Sequence, residues 1–428
     1  MLQTLQKYKF DLSKLVGQSY DGAASMSGRH SGVQTIIRKT APNAHYNHCR
    51  SHSSNLVVVK SCQRTQFGRN FFGILEQLFV MIEGSTKRHG WFMSIQEEAG
   101  LQKKAMKALS DTRWNCQGRS VEVVRTRLAA VNETLSKIAD ESSDRKVIGE
   151  AAGLLSCTSQ FEFVLAVEFF ARLLSPLDVL TKALQGPDST LHSVVILTEA
   201  AMKSLQELRA DLDAVIASAR ELAVANDIST EPKDHRRRKV SRRIDSGEHE
   251  VSLSALDELK RQVLEIVDIS LNELKSRFMD DASELYLLVG ALMQSDADKD
   301  QLHAHVTNLY PDLIDADVVV AQYDLVRKTS AWLTATSLQD RAKACPPCME
   351  ELRRLYSILI AVPVTSAGCE RVFSKLALIK NKLRSTMAQD RLQYLVLCSV
   401  ERDVLKQASL DNIVDRFAHA ENRRIRLI

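Results

Sequence analysis

Two acids in this chain stand where they could hold a metal ion. Asp21 closes the run Lys14-Leu15-Val16-Gly17-Gln18-Ser19-Tyr20, which has the pattern of a strand, and Gly22 follows it as a turn signal. A carboxylate at the end of a strand can project into solvent and meet a ligand, although an Asp-Gly pair after a strand is equally an ordinary turn. Glu370 lies in Val362-Pro363-Val364-Thr365-Ser366-Ala367-Gly368-Cys369-Glu370-Arg371-Val372-Phe373-Ser374, near a helix start. The helix macrodipole favours an acid there with or without a function. Phosphoryl transfer by two metal ions needs several carboxylates around the attacking and leaving oxygens, so the two acids mean more together than apart.

Other residue types admit two readings each. Cys49 with His52 and Cys345 with Cys348 are spaced like halves of a four-ligand zinc site. The halves are far apart in sequence, Pro346-Pro347 is an ordinary helix lead-in, and buried free cysteine is common, so plain packing also fits. The run His235-Arg236-Arg237-Arg238-Lys239-Val240-Ser241-Arg242-Arg243 holds six Lys and Arg in nine positions. It is either a solvated charge run or a nuclear import signal or phosphate-contacting arm. Lys375, Lys380, Lys382 and Arg384 form a second basic set. No Gly-x-Ser-x-Gly, P-loop or Gly-x-Gly-x-x-Gly occurs, which leaves hydrolase and nucleotide-binding readings without a motif.

The elements that must position these residues fall in three zones. Residues 1–118 mix helical pieces with short strand-like runs: Leu2 to Phe10 helical, Lys14–Tyr20 a strand, and a helix from Ser31 with Val33, Ile36 and Ile37 on one face. Ala44–Cys49 follows as a strand that leads into a helix. Residues 119–340 form helices almost throughout. Val121, Val124, Leu128, Val131, Leu135 and Ile138 recur at helical spacing, as do Leu205, Leu208, Leu212, Val215, Ala219 and Leu222. Val267, Leu271, Leu274 and Phe278 mark another helix. Residues 226–252 interrupt this zone, and their scarcity of apolar side chains predicts a disordered basic loop. Residues 341–428 open with a helix carrying Leu352, Leu355, Ile358 and Leu359, which Val362-Pro363 ends. A helix with Phe373, Leu376 and Ile379 and a final docked helix over Arg391–Asp403 complete the chain.

Composition sets the outer bounds. The 428 residues are 45% hydrophobic and 26% charged, the balance of a globular protein rather than a disordered or fibrous one. Fifty-seven Lys and Arg against 53 Asp and Glu leave a net charge of only +4, so any nucleic-acid footprint must be local. No stretch reaches the roughly 18 consecutive apolar residues of a membrane span, and the opening residues lack a signal-peptide pattern. Eight irregularly spaced cysteines suit a reducing compartment inside the cell.

Four segments in order resemble the hAT transposase superfamily, and within it the zinc-finger MYM-type-like proteins. Leu15–Gly28 is similar to the family's second-aspartate segment, and Cys49-Arg50-Ser51-His52-Ser53-Ser54-Asn55-Leu56 to its Cys-x-x-His segment. Asp111-Thr112-Arg113-Trp114-Asn115 is similar to its Arg-Trp segment, and Ser366–Ser374 to the C-terminal dimerisation signature. The resemblance implies a ribonuclease H-like core interrupted by a large all-helical insertion domain. Asp21 and Glu370 would be the second and third acids of a three-carboxylate site for Mg²⁺. Trp114, with Arg113, would handle flanking DNA, and Cys49 and His52 would pack nearby. The zinc finger of the family name has no counterpart in this chain.

The first acid of that site belongs upstream of Asp21, where only 20 residues stand and Asp11 is the one other acid. Two or three strands with their turns need about 25 residues. The expectation is therefore a mixed α/β, predominantly helical protein: a partial, N-terminally truncated core over 1–118, an insertion domain over 119–340, and a dimerisation region over 341–428 completing the core. As a domesticated transposon product in the nucleus it would be catalytically inactive, with Mg²⁺ at Asp21 and Glu370 weak if bound at all and no other cofactor. It would pair with itself or a related hAT protein and contact DNA non-specifically through Arg113, Trp114, Arg236, Arg237, Arg238, Lys239, Lys380, Lys382 and Arg384. It would have no membrane partner. The alternatives are an active transposase whose first acid is encoded upstream, or a decayed fragment.

Overall fold

The computed structural model describes residues 2–108, 115–186, 189–233, 254–280, 284–384 and 386–420. Arg113 and Trp114, and the basic run with Arg236, Arg237, Arg238 and Lys239, lie outside the described residues. The protein is predominantly helical with one small parallel sheet, and it forms two compact units, Met1–Thr365 and Ser366–Ile428.

In the first unit, strand β1 (Gly17–Tyr20) pairs in parallel with β2 (His45–His48), Gly17 opposite His45 and Tyr20 opposite His48. Both strands lie inside the runs marked by the sequence, trimmed at their ends. Parallel partners need a crossover, and here it carries helix Ala24–Ser27 and helix α1 (Val33–Thr40). The Gln18 side-chain amide fixes it by donating to the Gln34 and Ala44 carbonyls at 3.1 and 2.9 Å. On α1, Ile37 is buried and Val33 half-buried, but Ile36 is 48% exposed. The sequence placed all three on one face; neighbours in a helix point about 100° apart, so a two-stranded sheet covers only one of the two isoleucines.

Helix α2 (Arg50–Arg64) follows β2 directly, with Cys49 at its N-cap. The helices that follow include α3 (Asn115–Glu141), α4 (Phe161–Leu184) and α5 (Glu284–Leu292). The stripe from Val121 to Ile138 is buried along its whole length on α3. Helix α4 is buried on nearly every side, as its dense run of Phe, Leu and Val requires. The stripe from Leu205 to Leu222 runs over two helices, Leu191–Ala210 and Leu212–Val224. Asp211 divides them, its carboxylate accepting the Ala214 amide at 3.1 Å. An Asp competes well for a cap position, and the apolar rhythm passes the break unchanged. One hydrophobic cluster extends from Val57 to Val364, so the helices of 119–340 share their core with residues on both sides, including Leu352, Leu355 and Leu359.

The second unit holds α6 (Ala367–Ile379), a 3₁₀ turn at Lys382–Arg384, α7 (Gln389–Val400), helix Arg402–Gln407 and α8 (Leu410–His419). The sequence predicts one docked helix over Arg391–Asp403. It is instead broken at Glu401, and although Leu392 is buried, Tyr394 and Leu397 are exposed. The apolar spacing is real, but its face has no cover among the described residues. No described helix is long and apolar enough to cross a membrane.

The centre of the first core is a ring cluster around Phe170, which stacks on Phe71 at 4.8 Å and meets Phe72 edge-on at 4.8 Å. Truncating Phe170→Ala should cost about 3–5 kcal/mol of stability, read as a fall in the denaturant midpoint, because so enclosed a site cannot collapse around the gap. A change under about 1 kcal/mol would show that the cluster is loosely packed.

Candidate functional site

The parallel register sets the ends of β1 and β2 side by side, so Asp21 and Cys49 emerge together although 28 positions separate them. The Cys49 amide donates to the Tyr20 carbonyl at 2.8 Å and continues the ladder to that edge. Asp21 is exposed, and its Oδ1 accepts the Ala23 amide at 3.2 Å, so one carboxylate oxygen serves the turn. Cys49 is fully buried with its Sγ 3.4 Å from Thr365 Oγ1. His52 is half-buried, its ring 6.1 Å from that of His48.

Residues that the sequence did not single out complete this end of the sheet. His48 packs against Gly22, where an added Cβ would stand 3.1 Å from the imidazole. The Tyr46 hydroxyl donates to the Asp21 carbonyl at 3.3 Å. Burial, joined by the charges of Arg50, His52 and Arg277, holds the His48 imidazole below its ordinary pKa against the opposing pull of Asp21. Burial also pushes the Tyr46 phenol up to about 12, with Asp21 adding to the shift.

Arg50 anchors the group. It is buried, and its Nε donates to the Tyr286 hydroxyl at 2.9 Å while its Nη1 donates to the Arg277 carbonyl. That carbonyl lies in a π-helical turn, Ser276–Asp280, where the regular helical bonding pattern changes. The guanidinium also lies over the Tyr286 ring, 4.6 Å from its centroid. Tyr286 in turn donates to Asn47 Oδ1 at 3.1 Å, and Asn47 Nδ2 donates to the Pro363 carbonyl at 3.0 Å. The Arg50 amide reaches the Val364 carbonyl at 3.1 Å. Gly17 is small because this segment runs over it: a Cβ there would sit 2.9 Å from Pro363 Cδ. The signal for Arg50 was present in the sequence, since a cation in the first turn of a helix opposes the macrodipole and needs another reason to be there.

Glu370 lies in the first turn of α6, exposed, and belongs to the second unit, whereas Asp21 belongs to the first. Lys380 caps α6, and Lys382 and Arg384 lie on the following turn, all exposed, with Lys375 half-buried. Cys345 is buried at the end of helix Leu338–Ala344, while Cys348 is exposed. Among the described residues, no three His, Cys, Asp or Glu side chains gather in a group able to hold a metal, so Cys49, His52, Cys345 and Cys348 do not form the four-ligand zinc site. A divalent ion such as Mg²⁺ favours a cluster of oxygen donors. Within the first unit, Asp21 has one carboxylate oxygen engaged by the Ala23 amide and belongs to no metal-holding group among the described residues, and that set does not fit such an ion.

Residues 344–404 match the hAT family C-terminal dimerisation region. The match spans helix Glu350–Ala361 of the first unit and both α6 and α7 of the second.

Two predictions test this arrangement. Arg50→Ala should lower stability by about 2–4 kcal/mol, with Arg50→Lys recovering little, because an ammonium cannot span the fork between Tyr286 and Arg277. Recovery by Lys would show that charge alone matters. For His48, a lowered folded pKa means the unfolded chain takes up the proton first as pH falls. Stability is then full above the unfolded value of about 6.5 and declines below it. Thermal melts at about pH 7.5 and 5.5 should show this decline, reduced in His48→Gln; an equal decline in the variant would place the titration elsewhere.

Proposed function

We propose that this is a hAT-transposase-derived nuclear protein that works by pairing through its C-terminal unit and contacts DNA without reading its sequence. One observation carries this reading: the segment matching the dimerisation region presents uncovered apolar side chains, with Phe373 66% exposed, Leu378 76% and Tyr394 64%. Apolar side chains exposed together on one small unit mark an interaction surface. The partner is a second copy or a related hAT chain.

Two further features support the finer reading. A parallel strand pair that ends on Asp21 and Cys49, followed by a large helical body and a return segment at Val362–Thr365, suits a partial ribonuclease H-like core with an insertion. The exposed Lys380, Lys382 and Arg384 suit phosphate contact. Asp21 commits one carboxylate oxygen to its own turn and no metal-holding group of side chains forms among the described residues, so we assign no strand cleavage to this chain.

Light scattering on the full chain tests pairing. The expected mass is twice 47.9 kDa at micromolar concentration. Leu395→Asp, at a side chain 37% exposed on α7, should give a monomer that keeps the wild-type helical circular-dichroism signal and loses any concentration dependence of its melting temperature. A wild-type monomer at that concentration would contradict the reading.

A further inference from the structure

The near-balance of charge over the whole chain hides a one-sided stretch. From Gly22 to Leu75 there is no Asp or Glu, yet there are seven Lys and Arg and four His, in a chain that elsewhere carries all 53 of its acids. Three of these cations meet at one place. Arg29, in the loop before α1, and Arg38 and Lys39, in the last turn of α1, line a groove of about 720 Å³ whose far wall includes Asn308 and Leu309. All three are exposed, and none pairs with a carboxylate among the described residues.

The groove is held in shape while its charge is left uncompensated. Thr35 Oγ1 donates to the Gly28 carbonyl at 2.9 Å, fixing the loop that carries Arg29. At the floor, His45 Nε2 donates to the Leu309 carbonyl at 2.5 Å, and burial together with Arg38 lowers its pKa. Glu284 on the wall is already engaged, accepting from Asn308 Nδ2 at 2.8 Å and approached by His305 Nδ1 at 3.3 Å. The helix dipole explains cations in the last turn of α1, but it does not explain Arg29, which comes from outside the helix into the same groove. Separate cations along a polar groove suit a ligand with repeated charges, as a phosphodiester backbone has, better than one small anion.

We propose that this groove is the chain's main track for the DNA phosphate backbone, ahead of the C-terminal Lys380, Lys382 and Arg384. The groove leads toward Asp21, because Tyr46 lines it and its hydroxyl donates to the Asp21 carbonyl. This rests on the reading that the protein contacts DNA, and the test separates the two.

The probe is a fluorescein-labelled duplex of arbitrary sequence, titrated with the full chain over a range of salt and read by anisotropy. Arg29→Ala/Arg38→Ala/Lys39→Ala should weaken binding on the order of 10- to 100-fold at low salt and flatten the log–log salt slope by about 2 to 3, near 0.9 for each lost phosphate contact. Lys380→Ala/Lys382→Ala/Arg384→Ala should keep most of the affinity. Because the three groove side chains are exposed, the melting temperature should hold, and the charge-preserving Arg38→Lys/Lys39→Arg should bind as wild type. If it binds as weakly as the alanine variant, net charge is not what the groove supplies and the proposal fails. Unchanged affinity and slope in the groove variant overturn the groove while leaving DNA contact standing. A wild-type chain that does not bind at low salt overturns both. Polyglutamate displacing the probe as well as unlabelled duplex does would assign the groove to an acidic protein surface instead and overturn the proposal.

Discussion

Arg50 is 3% exposed, carries a full positive charge and meets no carboxylate among the described residues. Burying an ion without a counter-ion costs several kcal/mol unless its donors are met. The Tyr286 hydroxyl, the Arg277 carbonyl and the faces of two aromatic rings, Tyr286 and Phe278, meet this one. Each partner comes from far along the chain, and Tyr286 passes the contact on to Asn47 and then Pro363. The sheet end, the helical body and the return segment are therefore set against one another by one buried network, in which the Arg50 side chain holds Tyr286 and the turn at Arg277 while Asn47 and the Arg50 backbone amide reach residues 363 and 364. Without the Arg50 side chain, Tyr286 and the Arg277 turn lose their shared donor.

That constraint shapes the chemistry of the site. The same segment sets the His48 imidazole beside Gly22, next to Asp21, with His52 near it, rather than further carboxylates. This edge adjoins the acid-free stretch from Gly22 to Leu75. The held segment Val362–Thr365 also leads directly into Ser366, the first residue of the unit that carries the exposed apolar faces. Along the chain, the anchored residues 363 and 364 thus come just before the unit proposed to pair.

Much of this was legible in the sequence where local physics decides. The strand before Asp21 was readable from its short apolar run and the Asp21-Gly22 turn signal, the segment before Cys49 was also expected as a short strand, and the buried stripe on α3 was readable from its spacing alone. The Asp211 break was hidden because apolar rhythm continues across it, and Ile36 was misplaced because nothing local tells which of two adjacent isoleucines a narrow sheet covers. α7 looked like a buried helix for a related reason: spacing reveals an apolar face but not what covers it. The Arg50 network was unreadable for a different reason, since residues 47, 50, 286 and 363 meet only through tertiary folding. The match over 344–404 supports the resemblance at the C-terminal signature and is silent on the three upstream segments.

The central claim is that the second unit completes its apolar packing with another chain. Hydrogen exchange of the full-length protein, measured at concentrations spanning association, tests it most directly. The account predicts that amides of Gln389–Val400 gain protection as concentration rises while those of Phe161–Leu184 stay equally protected throughout. Protection of Gln389–Val400 that does not change with concentration, in a chain that remains monomeric, would contradict it.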